Sequence, residues 1–433
     1  MKVEEKVRQF LERIKKEDGK IHAFLHLNEK ALSEARALDE KVKKTGKKGK
    51  LYGYVIGVKS NINVKGMICN CASRVLENYV APYDSTVISK IRDEDGVIIG
   101  MTNCDEFGAG SSGENSAFGA TENPVVKGRI TGGSSSGSTA AVAAGFCDVT
   151  LGSDTGGSIR APASHCGIVG MKPSYGAVSR YGLMDLSMSL DQIGPLAKKV
   201  RDAVLMFEVI AGKDERDTMS RNVQKDDVKD KITLGIVKVR GVNARIQKVI
   251  DLRVDEIIKK KKWVLKEIML EHLELAVQTY YPLVYSEFYS ATRRFDGRRF
   301  GYKFEEKCGK EVLRRVLGGS EITKAEFTGT YYRKALQVKE LIALEFAHAF
   351  EDIDCIVMPV VPVLPWKLGE GEKMSVEEVY ASDALTCPGN LAGICSIVIP
   401  AGKVEGIPIG MQVMCARGED WKMLEIAGRM EKH

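Results

Sequence analysis

Tryptophan (3 residues), histidine (6) and proline (12) are scarce in this chain of 433 residues. No stretch approaches the roughly 20 consecutive apolar residues that cross a hydrocarbon core, which excludes a membrane-embedded bundle. No apolar N-terminal segment stands as a signal peptide, and no internal period marks a repeat architecture. Neither sign of charge prevails: 64 Lys and Arg oppose 58 Asp and Glu, a net charge of +6 that is mild for this length. The basic clusters at Lys43 to Lys50 and Lys259 to Lys262 read as solvated loops and helix faces rather than as a nucleic-acid patch.

Metal and nucleotide signatures are missing as well. Cys69 and Cys71 form a lone CxC with no second pair or histidine at ligand spacing, so the expectation is buried small side chains rather than structural zinc. Ten cysteines without a signal peptide point to free thiols in a reducing cytosol, and hence to a cytoplasmic protein. The phosphate-binding pattern GxxxxGK[ST] is absent. None of the histidines, at 22, 26, 165, 272, 348 and 433, lies in a GxSxG or comparable context, and His165 reads as a packed core residue.

What is present is a globular composition, 44% hydrophobic and 28% charged, which excludes disorder and collagen. Val3, Val7, Phe10, Leu11 and Ile14 form one stripe of an amphipathic helix, and a second helix is expected from Glu29 to Lys44. Strands are expected at Leu51 to Val58, Thr233 to Val237, Cys355 to Val361 and Ser396 to Pro400. Helices are expected at Arg201 to Ile210, Tyr331 to Phe350 and Trp421 to Lys432. Strands and helices interleave, which predicts an α/β fold: a single large mixed β-sheet covered by helices on both faces.

Glycine and serine are dense between Gly57 and Leu196, yet apolar segments interrupt them, as they do not in a flexible linker. Three clusters stand where an apolar segment meets a turn: Gly57-Val58-Lys59-Ser60-Asn61, Gly132 to Ser138, and Gly152 to Arg160. Taken singly, each is equally a structural turn. Together, glycines beside hydroxyls let consecutive N–H groups converge on an anion. A phosphate lacks its lysine here. The tetrahedral oxyanion of acyl transfer fits better, with Ser158 after Thr155-Gly156-Gly157 as a nucleophile beside backbone donors. A serine needs a base, and with no histidine in place a lysine of lowered pKa is the residue available: Lys59, behind an apolar strand.

The stretch from Gly132 to Pro173, with Lys59 upstream, resembles the amidase signature family, and the spacing of Ser134 from Ser158 follows the family pattern. The resemblance implies that Ser158 is the acyl-forming nucleophile, Ser134 a bridging serine on a cis peptide, and Lys59 the base. The oxyanion hole would be the amides of Thr155, Gly156, Gly157 and Ser158. It extends over nearly the whole chain, and it is strongest with the glutamine-hydrolysing A subunits of aspartyl/glutamyl-tRNA amidotransferases. The residues that carry this are Thr102 to Phe107, Ser111 to Gly119, Asn123-Pro124, Arg294 to Gly297, Glu311 to Arg315, Tyr380 to Asp383 and Asn390 to Gly393. For that branch, Arg315 would hold the α-carboxylate of glutamine, Asp383 its α-ammonium, and Tyr280 would close the pocket. Arg314 is the adjacent competitor for the first role.

On this resemblance the chain is one amidase domain, 1–433, with a triad-bearing core at 57–196, a helical variable part at 200–300 and a pocket-forming, sheet-completing part at 301–433. It implies a glutaminase supplying ammonia for the conversion of Asp-tRNA(Asn) or Glu-tRNA(Gln), in a heterotrimer with two other subunits. Acyl-tRNA would be met mainly through a partner. No cofactor or metal is expected in this chain, ATP and Mg belonging to the partner subunit. The alternatives are a free-standing amidase on another small amide, and a non-catalytic tRNA-binding or scaffold subunit. Five positions depart from the family pattern: Ser60 where an aspartate is usual, Ser136 for a glycine, Cys104, and Gly108-Ala109.

Overall fold

Eleven strands order themselves into one sheet in a computed structural model that describes all residues except 226, 296, 298–301, 325–327 and 432–433. The strands are β1 (Phe24–Leu27), β2 (Val55–Lys59), β3 (Val97–Thr102), β4 (Val149–Asp154), β5 (Val169–Lys172), β6 (Gln192–Ala197), β7 (Thr233–Val237), β8 (Val264–Ile268), β9 (Cys355–Pro359), β10 (Cys395–Val404) and β11 (Ile407–Cys415). Their order is β1-β3-β2-β4-β6-β5-β10-β11-β9-β7-β8. β2 runs parallel to β3 and β4, and β7 parallel to β8 and β9, while the other neighbours are antiparallel. The mixed sheet expected from the interleaved pattern is therefore the one observed.

Burial on both faces explains why the central strands read as continuous apolar runs. Ile56, Val58, Leu151 and Ile193 pack on one side with Phe207, Ile250 and Met423 of the helices Val200–Ile210, Ala244–Lys261 and Asp420–Met430. Val55 and Ile99 face the other way, against Val3 and Val7 of the Val3–Ile21 helix and Ala140 and Ala141 of the Ser136–Ala144 helix. Phe10 and Leu11, on the same stripe, are partly buried there. A third cluster joins the helices Ala276–Thr292, Lys310–Ile322 and Thr330–Asp352 through Val284, Phe288, Val312 and Ile342.

Several boundaries differ from the sequence expectation. The strand expected from Leu51 begins only at Val55, because Leu51 to Gly53 turn back on themselves: Tyr54 N–H donates to Leu51 O, and Gly53 takes φ 93°. The strand at Cys355 stops at Pro359 rather than Val361. Ser396 to Pro400 is the middle of a longer strand that forms a hairpin with β11 through Glu405 and Gly406, both at positive φ. Lys432, the expected end of the last helix, lies outside the described residues, as does Asp296.

All ten cysteines are free, and Cys69 and Cys71 are buried as expected. Among the described residues no helix is long and apolar enough to cross a membrane, and no group of three or more His, Cys, Asp or Glu could hold a metal ion.

Candidate active site

Parallel register brings three chain segments to one place. Lys59 ends β2 opposite Thr102 at the end of β3, and Val58 pairs with Leu151 of β4, so Lys59 comes level with the Gly152–Ser153 end of that strand. Carboxyl ends of parallel strands are where an α/β sheet offers its binding crevice. Here they hold the three Gly/Ser clusters together.

Lys59 is fully buried. Its Nζ lies 2.7 Å from Ser134 Oγ and 2.9 Å from Ser153 Oγ, and Asn61 Nδ2 donates to the same Ser153 oxygen at 3.0 Å. Burial pulls its pKa down, opposed by Cys104, Asp105 and Asp154. The peptide bond from Gly133 to Ser134 is cis. Ser135 ties this loop to the next one: its N–H donates to Ser158 O at 3.1 Å and its hydroxyl to Ser153 O at 3.1 Å. The hydroxyls of Ser134 and Ser158 share no hydrogen bond, so the first link of the expected proton relay is open in this structure. Such contacts commonly tighten only when substrate is bound.

The loop bearing Ser158 is wrapped around a carboxylate. Asp154 accepts from the amides of Gly157 (2.9 Å) and Ile159 (3.0 Å), from Arg160 Nε (3.1 Å) and Nη2 (3.0 Å), and from Asn390 Nδ2 (2.9 Å). Against the cost of burial, Arg160 holds the Asp154 carboxyl down at about 2. Of the four amides expected to form the oxyanion hole, that of Gly157 donates to Asp154 in this structure. The amides of Thr155, Gly156 and Ser158 donate to no acceptor among the described residues. Gly157 is needed for another reason: at φ 140° its missing Cβ would lie 2.3 Å from Thr386 Oγ1.

Facing this loop is a buried aromatic and ionic cluster. Arg315 projects inward, its side chain 4% exposed, and its Nε donates to Glu311 Oε1 at 2.8 Å, whereas Arg314 is 47% exposed. The stacked rings of Tyr281 and Tyr380, 3.6 Å between centroids, pack against the Arg315 guanidinium. The Tyr281 hydroxyl donates to Asp383 Oδ2 at 2.9 Å. Burial lifts the Asp383 carboxyl to about 7, with Tyr281 and Arg315 acting against it. Tyr280 stands edge-on to Tyr281 and touches Gly156. One buried cation and one buried carboxylate thus face the Ser158 loop across two tyrosines.

Residues 5–424 match the family described as Amidase. The chain belongs to the amidase family. It is 49% identical over 438 residues to the A subunit of glutamyl-tRNA(Gln) amidotransferase from Methanocaldococcus jannaschii, covering 99% of each. It is 48% identical to the protein of the same name from Methanothermobacter thermautotrophicus, covering 96% of this chain and 92% of the relative. The crystal structure of the A subunit of glutamyl-tRNA(Gln) amidotransferase from Thermotoga maritima superposes with a TM-score of 0.84 at 35% identity, covering 100% of this chain and 92% of that one. A solved amidase at 30% identity, covering 99% and 96%, gives 0.87.

Two departures from the amidase pattern turn out to be neighbours. Ser60 Oγ and Cys104 Sγ are 3.4 Å apart, both buried, directly beside Lys59. Ser136 opens its helix and donates to Thr121 Oγ1 at 3.1 Å. His165 is buried with neither ring nitrogen paired, and burial lowers its pKa to about 4, so it is the packed core residue its context suggested.

Sequence reasoning passed over Ser153, Asn61, Tyr281 and Glu311 as functional positions. Ser153 and Asn61 lay inside the quoted clusters, and Glu311 inside the Arg315 block, so the signal was present. Tyr281 carried none beyond its adjacency to Tyr280.

Proposed function

We propose that this chain is the glutaminase subunit of a tRNA-dependent amidotransferase. The observation that carries this is the pairing of two half-sites: Lys59 hydrogen-bonded to Ser134 behind the Ser158 loop, and Arg315 with Asp383 in front of it. A zwitterionic amino acid needs a cation and an anion at one end and a nucleophile at the other, and a planar guanidinium suits its carboxylate. The full-length relatives named as the A subunit of glutamyl-tRNA(Gln) amidotransferase support the same reading.

In this reading neutral Lys59 accepts a proton from Ser134 as Ser134 takes one from Ser158, whose Oγ attacks the glutamine carboxamide. The free amides of Thr155, Gly156 and Ser158 receive the developing oxyanion. The relay reverses to protonate departing ammonia, and water releases glutamate from the acyl-enzyme. Arg315 holds the α-carboxylate, Asp383 the α-ammonium, and Tyr280 walls the pocket. Ammonia passes to a partner within a heterotrimer in the cytoplasm. The ATP and Mg needed to activate the acyl-tRNA would be held by that partner rather than by this chain. Along the single domain, 57–196 supplies the triad, 200–300 a largely helical part that also carries β7, β8 and Tyr280, and 301–433 Arg315, Asp383 and strands β9 to β11.

The test is to purify the chain with its native partners, assay hydrolysis of glutamine against a panel of other amides, and assay amidation of Asp-tRNA and Glu-tRNA. Glutamine is expected to lead the panel, with amidation of at least one tRNA. A stronger preference for another amide would replace this reading with a free-standing amidase. Failure of a fluorophosphonate to label Ser158 would leave only a scaffold role.

A further inference from the structure

One buried carboxylate joins the two half-sites. Glu106 accepts from Ser73 Oγ at 2.5 Å through Oε1 and from the Gly309 amide at 2.6 Å through Oε2. Gly309 is the N-cap of the Lys310–Ile322 helix, whose first two turns carry Glu311 and Arg315. A carboxylate at that end answers the unpaired amides and the helix dipole; burial lifts its pKa to about 7, and the bonds from Ser73 and Gly309 act against that rise.

At its other end Glu106 belongs to the loop that supports the catalytic serines. The preceding residue, Asp105, donates its N–H to Ser134 O at 3.1 Å. Two residues on, Gly108 lies beside Lys59 and Ser134: a Cβ there would be 3.6 Å from Ser134 Oγ and 4.0 Å from Lys59 Nζ. Between them Phe107, at φ 51°, is packed among Phe288 and Phe304. The loop therefore has little freedom to follow a displaced helix.

We propose that Glu106 is a positioning residue for substrate recognition, one that sets the distance between Arg315 and Ser158 by anchoring the Arg315 helix to the loop that holds Ser134. This rests on the glutamine reading above. Small displacements of a binding group are costly because the reacting atoms must meet within narrow limits. Loss of the anchor should weaken capture of the α-carboxylate and leave the nucleophile as it is.

The test uses the full chain co-purified with its partners and carrying Glu106→Gln, which keeps an acceptor for one donor and turns an NH2 toward the other. The expected result is a rise of about tenfold in KM for glutamine, a kcat within about twofold of wild type, and an unchanged rate of Ser158 labelling by a fluorophosphonate, which has no α-carboxylate. Gly309→Pro removes the same bond from the other side. The backbone there suits proline, Gly309 at φ −75° and Cys308 at φ −79°, ψ 156°, and the Glu106 side chain, whose Oε2 would lie 2.8 Å from a Cβ at 309, is displaced along with the bond. It should raise KM alike, and the double variant should be no worse than either single one. If Glu106→Gln does not fold, Gly309→Pro decides alone. An unchanged KM overturns the proposal, as does a joint fall of kcat and labelling. A wild-type protein that labels but does not hydrolyse glutamine removes the glutamine reading itself, and the proposal with it.

Discussion

Tyr280 rests directly on Gly156: a methyl group at Gly156 would lie 2.5 Å from the Tyr280 ring carbon Cζ and 2.6 Å from its hydroxyl oxygen. The proposed wall of the substrate pocket and the loop that would stabilise the oxyanion are therefore in contact. Gly156→Ala should push the two apart, with kcat/KM for glutamine falling about 10- to 100-fold while the protein stays folded, because a methyl forced into a packed contact costs about 1–3 kcal/mol. Steady-state kinetics beside a melting curve would check this. Near-normal kcat/KM in a folded variant would mean that the contact does not govern the site.

Ser158→Ala should abolish glutaminase activity and leave the melting temperature nearly unchanged, since one oxygen is removed from a loop already organised by Asp154. Mass spectrometry of the quenched reaction reads the acyl-enzyme directly. Any adduct in the variant assigns the nucleophile elsewhere.

Arg315→Lys is expected to raise KM for glutamine about tenfold or more with a smaller effect on kcat, because carboxylate binding is shared by ground and transition states. Arg314→Lys should be nearly silent, its side chain being half exposed and paired with Glu311. The reverse order of sensitivity would place the neighbouring arginine in the pocket.

Two pH effects should be separable. Only neutral Lys59 accepts a proton, so kcat should climb with pH through an ionisation below the ordinary lysine value, in the direction that burial dictates. Ser60→Asp adds a carboxylate that favours the charged form and should move this limb to higher pH; a limb that stays put, or a Lys59→Arg variant with most of its activity, removes the base role. Asp383, with a carboxyl near 7, binds an ammonium only when ionised, so KM should rise as pH falls below about 7. Asp383→Asn should raise KM at all pH values and flatten that dependence.

Asp154→Asn leaves the Arg160 guanidinium buried without its counter-charge, at a cost of about 3–5 kcal/mol. Denaturant unfolding would measure it. Asp154→Ala also frees the Gly157 amide, so its residual glutaminase activity reports whether that commitment shapes the oxyanion loop.

Much of this was written locally in the chain. Apolar runs set the strands on either side of Lys59 and Ser158, and glycines set the turns, because steric and hydrophobic preferences act over a few residues. The motif blocks marked Ser134, Ser158, Lys59, Arg315 and Asp383 one by one. What no local pattern carried was which side chains would meet. The inward course of Arg315 rather than Arg314 depends on the face its helix turns to Tyr281 and Tyr380. The commitment of the Gly157 amide depends on a carboxylate whose other partners, Arg160 and Asn390, come from a neighbouring turn and from the far end of the chain. The links from Glu106 to Gly309 and from Tyr280 to Gly156 span more than a hundred residues, and such contacts arise only when the sheet closes and its helices pack. The amino-acid sequence determined the elements and the chemical groups available; the tertiary structure decided their pairing, because a buried polar group must find its partner wherever the packed fold has placed one.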